Sequence, residues 1–347
     1  MLKIDPKYIE KALTANVLEE LYPLLQKAIE LEHSTIPPYL TAMFSLKPGT
    51  NLVQRQIIHS IVIEEMLHMT IAANILNALG GTPDINNSQF VPEYPGPLPM
   101  GIGNGLIVGL EKYSQGVVKN VFMEIEEPEN AIVFKSLDIK KLPTFSTIGQ
   151  FYQAIQQKID ELAPNDLPGH KDYQVTSAFF PAQELFPIYT KQHAIDAINI
   201  IIEQGEGTST SPLDQQDELA HYYRFEELYK GKRLLKDPSA PKGYSFSGPD
   251  IPFTPDDVYP LFPNTKTSML PAGSEVLNRM NQFNASYYSL LSGLHDTFNG
   301  QPTWLDNTIG VMYDLKLTAE KLCATPFPGK AGYTIGPSFE FTATSKC

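Results

Sequence analysis

Between residues 51 and 79 apolar residues recur at steps of three and four, but the stripe Ile58, Ile61, Glu65, His68, Ala72, Ile75, Leu79 is broken by a glutamate and a histidine. The periodicity predicts a helix with one buried face. A charge on such a face costs several kcal/mol unless it is paired or bound to a cation. Whatever this helix packs against must therefore answer the pair. The interruption recurs: an expected helix near 213–231 puts Glu218, His221, Phe225 and Leu228 on one face, and one near 13–46 carries Leu21, Leu25, Ala28, Glu32, Thr35, Tyr39 and Met43.

With 23 Glu and 7 His among 347 residues, chance gives roughly 0.5 pairs with Glu three places before His. Three occur: Glu30/His33, Glu65/His68 and Glu218/His221. Residues at i and i+3 share a helix face, so a carboxylate and an imidazole can reach one metal. Glu30 lies about 200° round the wheel from Glu32, so Glu30/His33 reads as a solvated chance match. His59 and His193 read as surface or packing residues, and Cys323 as a buried apolar filler. Inward Glu32, Glu65, His68, Glu218 and His221 are explained together by a dinuclear site, in which carboxylates neutralise and bridge two cations and each histidine caps one. This is the ligand pattern of ferritin-like di-iron carboxylate proteins, with a Glu from each of two helices and Glu-x-x-His from each of the other two. The expected helix near 190–206 must supply the remaining carboxylate. Its apolar centre, set by Ala194, Ile198, Ile201 and Gly205, lies about 100° from Glu206 and about 160° from Glu203. Face favours Glu206, whereas symmetry about the 207–213 connection favours Glu203. Tyr39, on the face of Glu32, reads equally as a redox tyrosine behind the ligands or as a core tyrosine.

The class is mainly α. Further helices are expected near 115–126 and 148–162, N-capped by Ser114 and Thr147, and near 274–298 and 303–323. Strand signals are weak, near 105–111 and in Tyr333 to Phe341. Two proline-rich stretches, Gly80 to about Gly105 and Pro238 to Pro271, exclude long helices and have the length of functional covers. The expected organisation is a four-helix bundle over 1–235 with an inserted segment at about 81–165, and a proline-rich loop, helical pair and aromatic tail over 236–347 packed on it as one compact unit. Lys+Arg 26 against Asp+Glu 39 gives a net charge of −13, which argues against nucleic-acid or anionic membrane partners. No apolar run approaches the roughly 20 residues of a membrane span. Met1 to Pro6 lacks the features of a signal peptide, and two cysteines, Cys323 and Cys347, cannot form a disulfide framework. A soluble cytoplasmic protein is expected.

Four runs, Ala28 to Leu40 (AIELEHSTIPPYL), Glu64 to Met69 (EEMLHM), Gln204 to Gly207 (QGEG) and Glu218 to Phe225 (ELAHYYRF), resemble the ferritin-like domain of the iminophenyl-pyruvate dimer synthase family. Ile125-Glu126-Glu127-Pro128-Glu129 and Gly336 to Glu340 extend the likeness over most of residues 10–345. Proteins of that family couple two aryl-pyruvate imines oxidatively in violacein and indolocarbazole biosynthesis. The resemblance implies an elaborated ferritin-like bundle and places Glu32, Glu65, His68, Glu218 and His221 at metal positions, with the third-helix ligand left between Glu206 and Glu203. The expected function is a non-haem di-iron oxidoreductase using O2 or peroxide on a small, aromatic metabolite. Two iron ions are expected, with manganese as the substitute; haem is unassigned and a homo-oligomer is compatible. The alternatives are an iron-storage protein without an organic substrate and a metal-free scaffold.

Overall fold

The computed structural model describes residues 4–128, 147–208, 211–240 and 242–341. Glu129 and Cys347 lie outside them. Helix α1 (Lys7–Leu13) leads through a short turn into α2 (Tyr22–Ser45), and α3 (Leu52–Leu79) returns antiparallel against it. Gly49, at φ 79°, supplies the left-handed turn between them. Pro37 and Pro38 sit inside α2 without ending it. Proline removes the N–H that would bond the carbonyl four residues back, and Ser34, the residue deprived by Pro38, accepts instead from the Tyr94 hydroxyl at 2.7 Å. The first proline-rich stretch therefore seals α2 two residues beyond Glu32.

A short composite helix follows: α4 (Gln115–Val117), a π turn (Val118–Phe122) and α5 (Met123–Ile125). Ser114 caps it by accepting from the Val117 N–H at 3.0 Å. Helix α6 (Ile148–Leu162) starts in a capping box made by Thr147 and Gln150. It packs on α7 (Lys191–Glu206), and α7 and α8 (His221–Lys230) both pack on α3. Helices α9 (Glu275–Phe298) and α10 (Leu305–Cys323) form a second hairpin lying on α2 and α3. The second proline-rich stretch clamps the α2–α3 turn: Tyr259 N–H donates to the Ser45 carbonyl at 2.7 Å and Lys47 N–H to that of Asp257 at 2.9 Å.

Where strands were expected, Val108 and Thr334 make only isolated bridges, to Gly96 and to Leu261 and Pro326. Among the described residues the strands are β1 (Leu235–Lys236) and β2 (Tyr244–Ser245), a short antiparallel pair. One continuous apolar core contains Leu25, Ile61, Ile198 and Phe225 together with Leu261, Phe283 and Phe339. No helix among the described residues is long and apolar enough to cross a membrane.

Candidate metal centre

Two groups of side chains able to ligate a metal lie buried between α2, α3, α8 and the end of α5. One comprises Glu32, Glu65 and His68; the other comprises Glu65, Glu126 and His221, with ligand atoms within 4.8 Å of one another in each group. Glu65 belongs to both. Every member is at most 8% exposed. The His68 Nδ1 faces Glu32 Oε2 at 3.7 Å, and the His221 Nδ1 lies 2.9 Å from Glu65 Oε1 and 3.5 Å from Glu126 Oε2.

Each ligand is fixed from behind by a separate partner. Tyr152 donates its hydroxyl to Glu32 Oε1 at 2.5 Å, Thr35 to Glu65 Oε2 at 2.8 Å and Tyr39 to Glu126 Oε1 at 2.5 Å. The far ring nitrogens are held too: His68 Nε2 by Gln204 Oε1 at 2.8 Å and His221 Nε2 by Glu64 Oε2 at 2.9 Å. Glu64 is also paired with Arg224. Both imidazoles thus turn Nδ1 toward the carboxylates. Such backing fixes ring orientation and is a regular feature of metal-binding histidines.

The electrostatics call for a cation. Among the described residues no lysine or arginine pairs with Glu32, Glu65 or Glu126, which have only the two imidazoles for ion-pair partners. Burial and then the Glu126 charge push Glu65 up to about 7. His221 is held well above the usual imidazole value, against burial, by Glu126, Glu64 and Glu65. Glu64 is drawn well below the carboxylate range, again against burial, by His221 and Arg224. The His221 Nδ1, 2.9 Å from Glu65 Oε1, is not aligned for a hydrogen bond with either carboxylate. A buried imidazole nitrogen aimed at crowded carboxylates, each with one oxygen already bonded from behind, is a donor set that fits a metal ion.

The family model for ferritin-like proteins matches residues 25–230, which takes in all five residues of the two groups. The chain belongs to the ferritin-like family. Among solved structures, a ferritin-like protein from Caulobacter vibrioides is 24% identical, with 86% of this chain and 93% of that chain covered and a TM-score of 0.57. At that identity the likeness speaks for the fold. No curated protein matches the chain.

Within this ferritin-like bundle, Glu32, Glu65, His68 and His221 meet, while Glu203, Glu206 and Glu218 do not. Helix α8 begins only at His221, so Glu218 is exposed in the preceding loop and the i, i+3 rule does not reach it. That loop is held open by Asp217 at φ 60° and by Asp214 Oδ1, which accepts from the Gln216 and Glu218 N–H groups, both at 2.9 Å. Helix α7 turns Gln204 inward; Glu203 accepts from Gln215 at 2.8 Å, and Glu206 accepts from the Gly149 N–H at 2.8 Å, at the start of α6. The third carboxylate is Glu126, just past the π turn. Counting from Phe122 at 100° per residue puts it about 40° from that buried ring, so its wheel position was a usable signal. Glu64, Gln204 and Tyr152 were not singled out by the sequence pattern.

His33 is not solvated. It is 3% exposed, with Tyr287 on its Nε2 at 2.7 Å. Glu30 pairs with Lys27 instead.

Proposed function

We propose that this protein is a di-metal oxidoreductase, with two iron ions as the resident pair and manganese as the substitute. The observation that carries the reading is the shared carboxylate, since Glu65 stands in both ligand groups and a carboxylate has two oxygens with which to bridge. In this arrangement Glu32 and His68 would hold one ion, Glu126 and His221 the other, and Glu65 would be shared between them. The chemistry such a pair supplies when bound is reduction of O2 or peroxide coupled to oxidation of a small organic molecule. Three carboxylates against two divalent cations leave one positive charge over, so the centre has room for an anionic ligand. Tyr39 and Tyr152 keep a proton on the outer oxygens of Glu126 and Glu32, and Thr35 does the same for Glu65. The apolar surround of Phe122 and Phe225 against Tyr39 excludes water from that side. The resemblance to iminophenyl-pyruvate dimer synthases supports an aromatic substrate.

Anaerobic Fe(II) titration tests the site. Saturation at two ions per chain is expected, with His68→Ala and His221→Ala each removing one and His33→Ala removing none; saturation of the native chain at one or zero would refute the reading. The function is tested separately. A cognate aromatic 2-oxo acid or amine should speed O2 uptake, whereas deposition of many iron equivalents per chain with no compound altering the rate would mark storage.

Glu64→Gln addresses the backing of His221. Losing the charged acceptor on Nε2 should weaken binding of the second ion by about 10-fold or more, with two ions still bound at saturation. Unchanged affinity would show that Glu64 serves Arg224 alone.

A further inference from the structure

Between the α2–α3 hairpin and the α9–α10 pair lies a cavity of about 190 Å³, and none of Glu32, Glu65, His68, Glu126 or His221 lines it. The buried part of its wall is apolar, with Met43, Val62, Met69, Leu291 and Phe298 typical. The buried polar side chains among them are bonded within the protein: Thr70 donates to the Met66 carbonyl at 2.8 Å, and the Tyr287 hydroxyl is paired with His33 Nε2 at 2.7 Å. The other His33 nitrogen has next to no accessible surface. A guest at this depth therefore meets hydrocarbon and thioether surface, and methionine walls adapt their shape to an occupant.

The cavity meets the surface where residues that line it are themselves exposed. These include His59 on α3 and Tyr313 and Lys316 on α10, with Tyr313 66% exposed. Burial first, then the Lys316 and Arg55 charges, lower His59 below the usual imidazole value, so both cations act on this mouth. Arg55 is already engaged, by Glu320 at 3.6 Å and by the Leu46 carbonyl. Lys316 has no ion-pair partner among the described residues. A lysine stem on an apolar wall keeps its ammonium in water, which puts the unpaired charge at the rim and leaves the depth uncharged.

An engineered cavity of about 150 Å³ with aliphatic and aromatic walls binds benzene; by the same ratio this one holds about eight carbon atoms. We propose that the cavity takes the tail of a single-chain fatty acid of about eight carbons, with its carboxylate at the mouth beside Lys316. Polar groups along the tail would lose their hydration at that depth without replacement, and an ammonium head would be repelled at the rim. The chain as a whole carries a net charge of −13, so a preference for an anion has to come from the local lysine. This site is separate from the metal centre and does not depend on the di-metal reading.

Equilibrium dialysis of hexanoate, octanoate, decanoate and heptylammonium under argon tests it, on the full chain both stripped by chelator and loaded with Fe(II). One octanoate should bind per chain, about 15-fold tighter than hexanoate at about fourfold per methylene, with metal without effect. Decanoate should gain much less over octanoate, because the cavity is then full. Heptylammonium carries the same tail as octanoate with the opposite charge, and should bind about fivefold more weakly at low salt, the gap closing as salt is added. Lys316→Glu, at an exposed position that spares the fold, should reverse that order and keep the dependence on chain length. Leu290→Trp, or Leu294→Trp should the first misfold, should fill the space and abolish binding of all four probes. Binding that needs metal, that survives the filled cavity, that tightens as much from octanoate to decanoate as from hexanoate to octanoate, or that ignores the sign of the head group overturns the proposal.

Discussion

Glu65→Ala is expected to abolish binding of both metal ions, where loss of either histidine removes one. The difference lies in the sharing. His68 and His221 each belong to one ligand group, while Glu65 belongs to both, so its removal leaves each ion with one carboxylate and one imidazole. An affinity loss of more than about 100-fold follows, since loss of a backing residue alone costs 10–100-fold. Substrate-dependent O2 uptake should vanish with the metal. The stability of the metal-free protein should move the other way. There Glu65 is a buried carboxylate pushed up to about 7 by burial and by Glu126, so deleting it relieves a desolvated charge, and at neutral pH the metal-free variant should melt no lower than the metal-free native chain. Glu203→Ala and Glu218→Ala are the controls: both side chains lie outside the centre and should leave two ions bound. Anaerobic Fe(II) titration and calorimetry of the same samples check all of this. A Glu65→Ala protein that still binds two ions would show that the carboxylate does not bridge.

Much of the arrangement was legible because two effects run together in the sequence. Periodicity marked α2, α3, α7, α9 and α10, and a polar residue on an apolar stripe marked Glu32, Glu65, His68 and His221. Interruptions of helical geometry hid the rest. Glu126 follows the π turn at Val118–Phe122, at the very end of a short helix and with no histidine three places on, so the Glu-x-x-His pattern passes over it even though its wheel position lies near buried Phe122. Pro212 and Asp217 delay α8 until His221, which takes Glu218 out of a motif that depends on helical spacing. On α7 the wheel was centred toward Gly205, whereas the buried set Ala194, Ala197, Ile198, Ile201 and Gln204 is shifted round toward Gln204. His33 was hidden for another reason. One stripe cannot describe a helix covered on several sides, and the residue that covers His33 is Tyr287, 254 positions away. Sequence-local patterns do not encode such distant cover.

The stabilisation that metal confers should be small at pH 5.5 and large at pH 8. In the metal-free protein Glu65 sits at about 7, above the ordinary glutamate value of about 4.3. Between those values the folded state binds more protons than the unfolded one, so stability falls as pH rises through the window and levels off above it. His68 acts in the same direction: Glu32 raises it above the usual imidazole value in spite of burial, and its contribution, fully present below about 6.5, is lost as pH climbs past its folded value. His221, raised further, follows at higher pH. Glu64 works oppositely, because it is held low by His221 and Arg224 against burial; its contribution is present above the ordinary glutamate value and is lost as acid protonates it. The metal-free chain should therefore be most stable between about pH 4.5 and 6 and weaken toward pH 8. A metal ion replaces the protons that Glu65 and the histidines would otherwise hold, so binding releases protons and tightens as pH rises. Differential scanning calorimetry under argon, with and without Fe(II) at pH 5.5 and pH 8, measures both trends, and a pH-stat at pH 6 reads the released protons. A metal-free chain more stable at pH 8, or an equal metal-induced rise in Tm at the two pH values, would mean that protons and metal do not compete for this cluster.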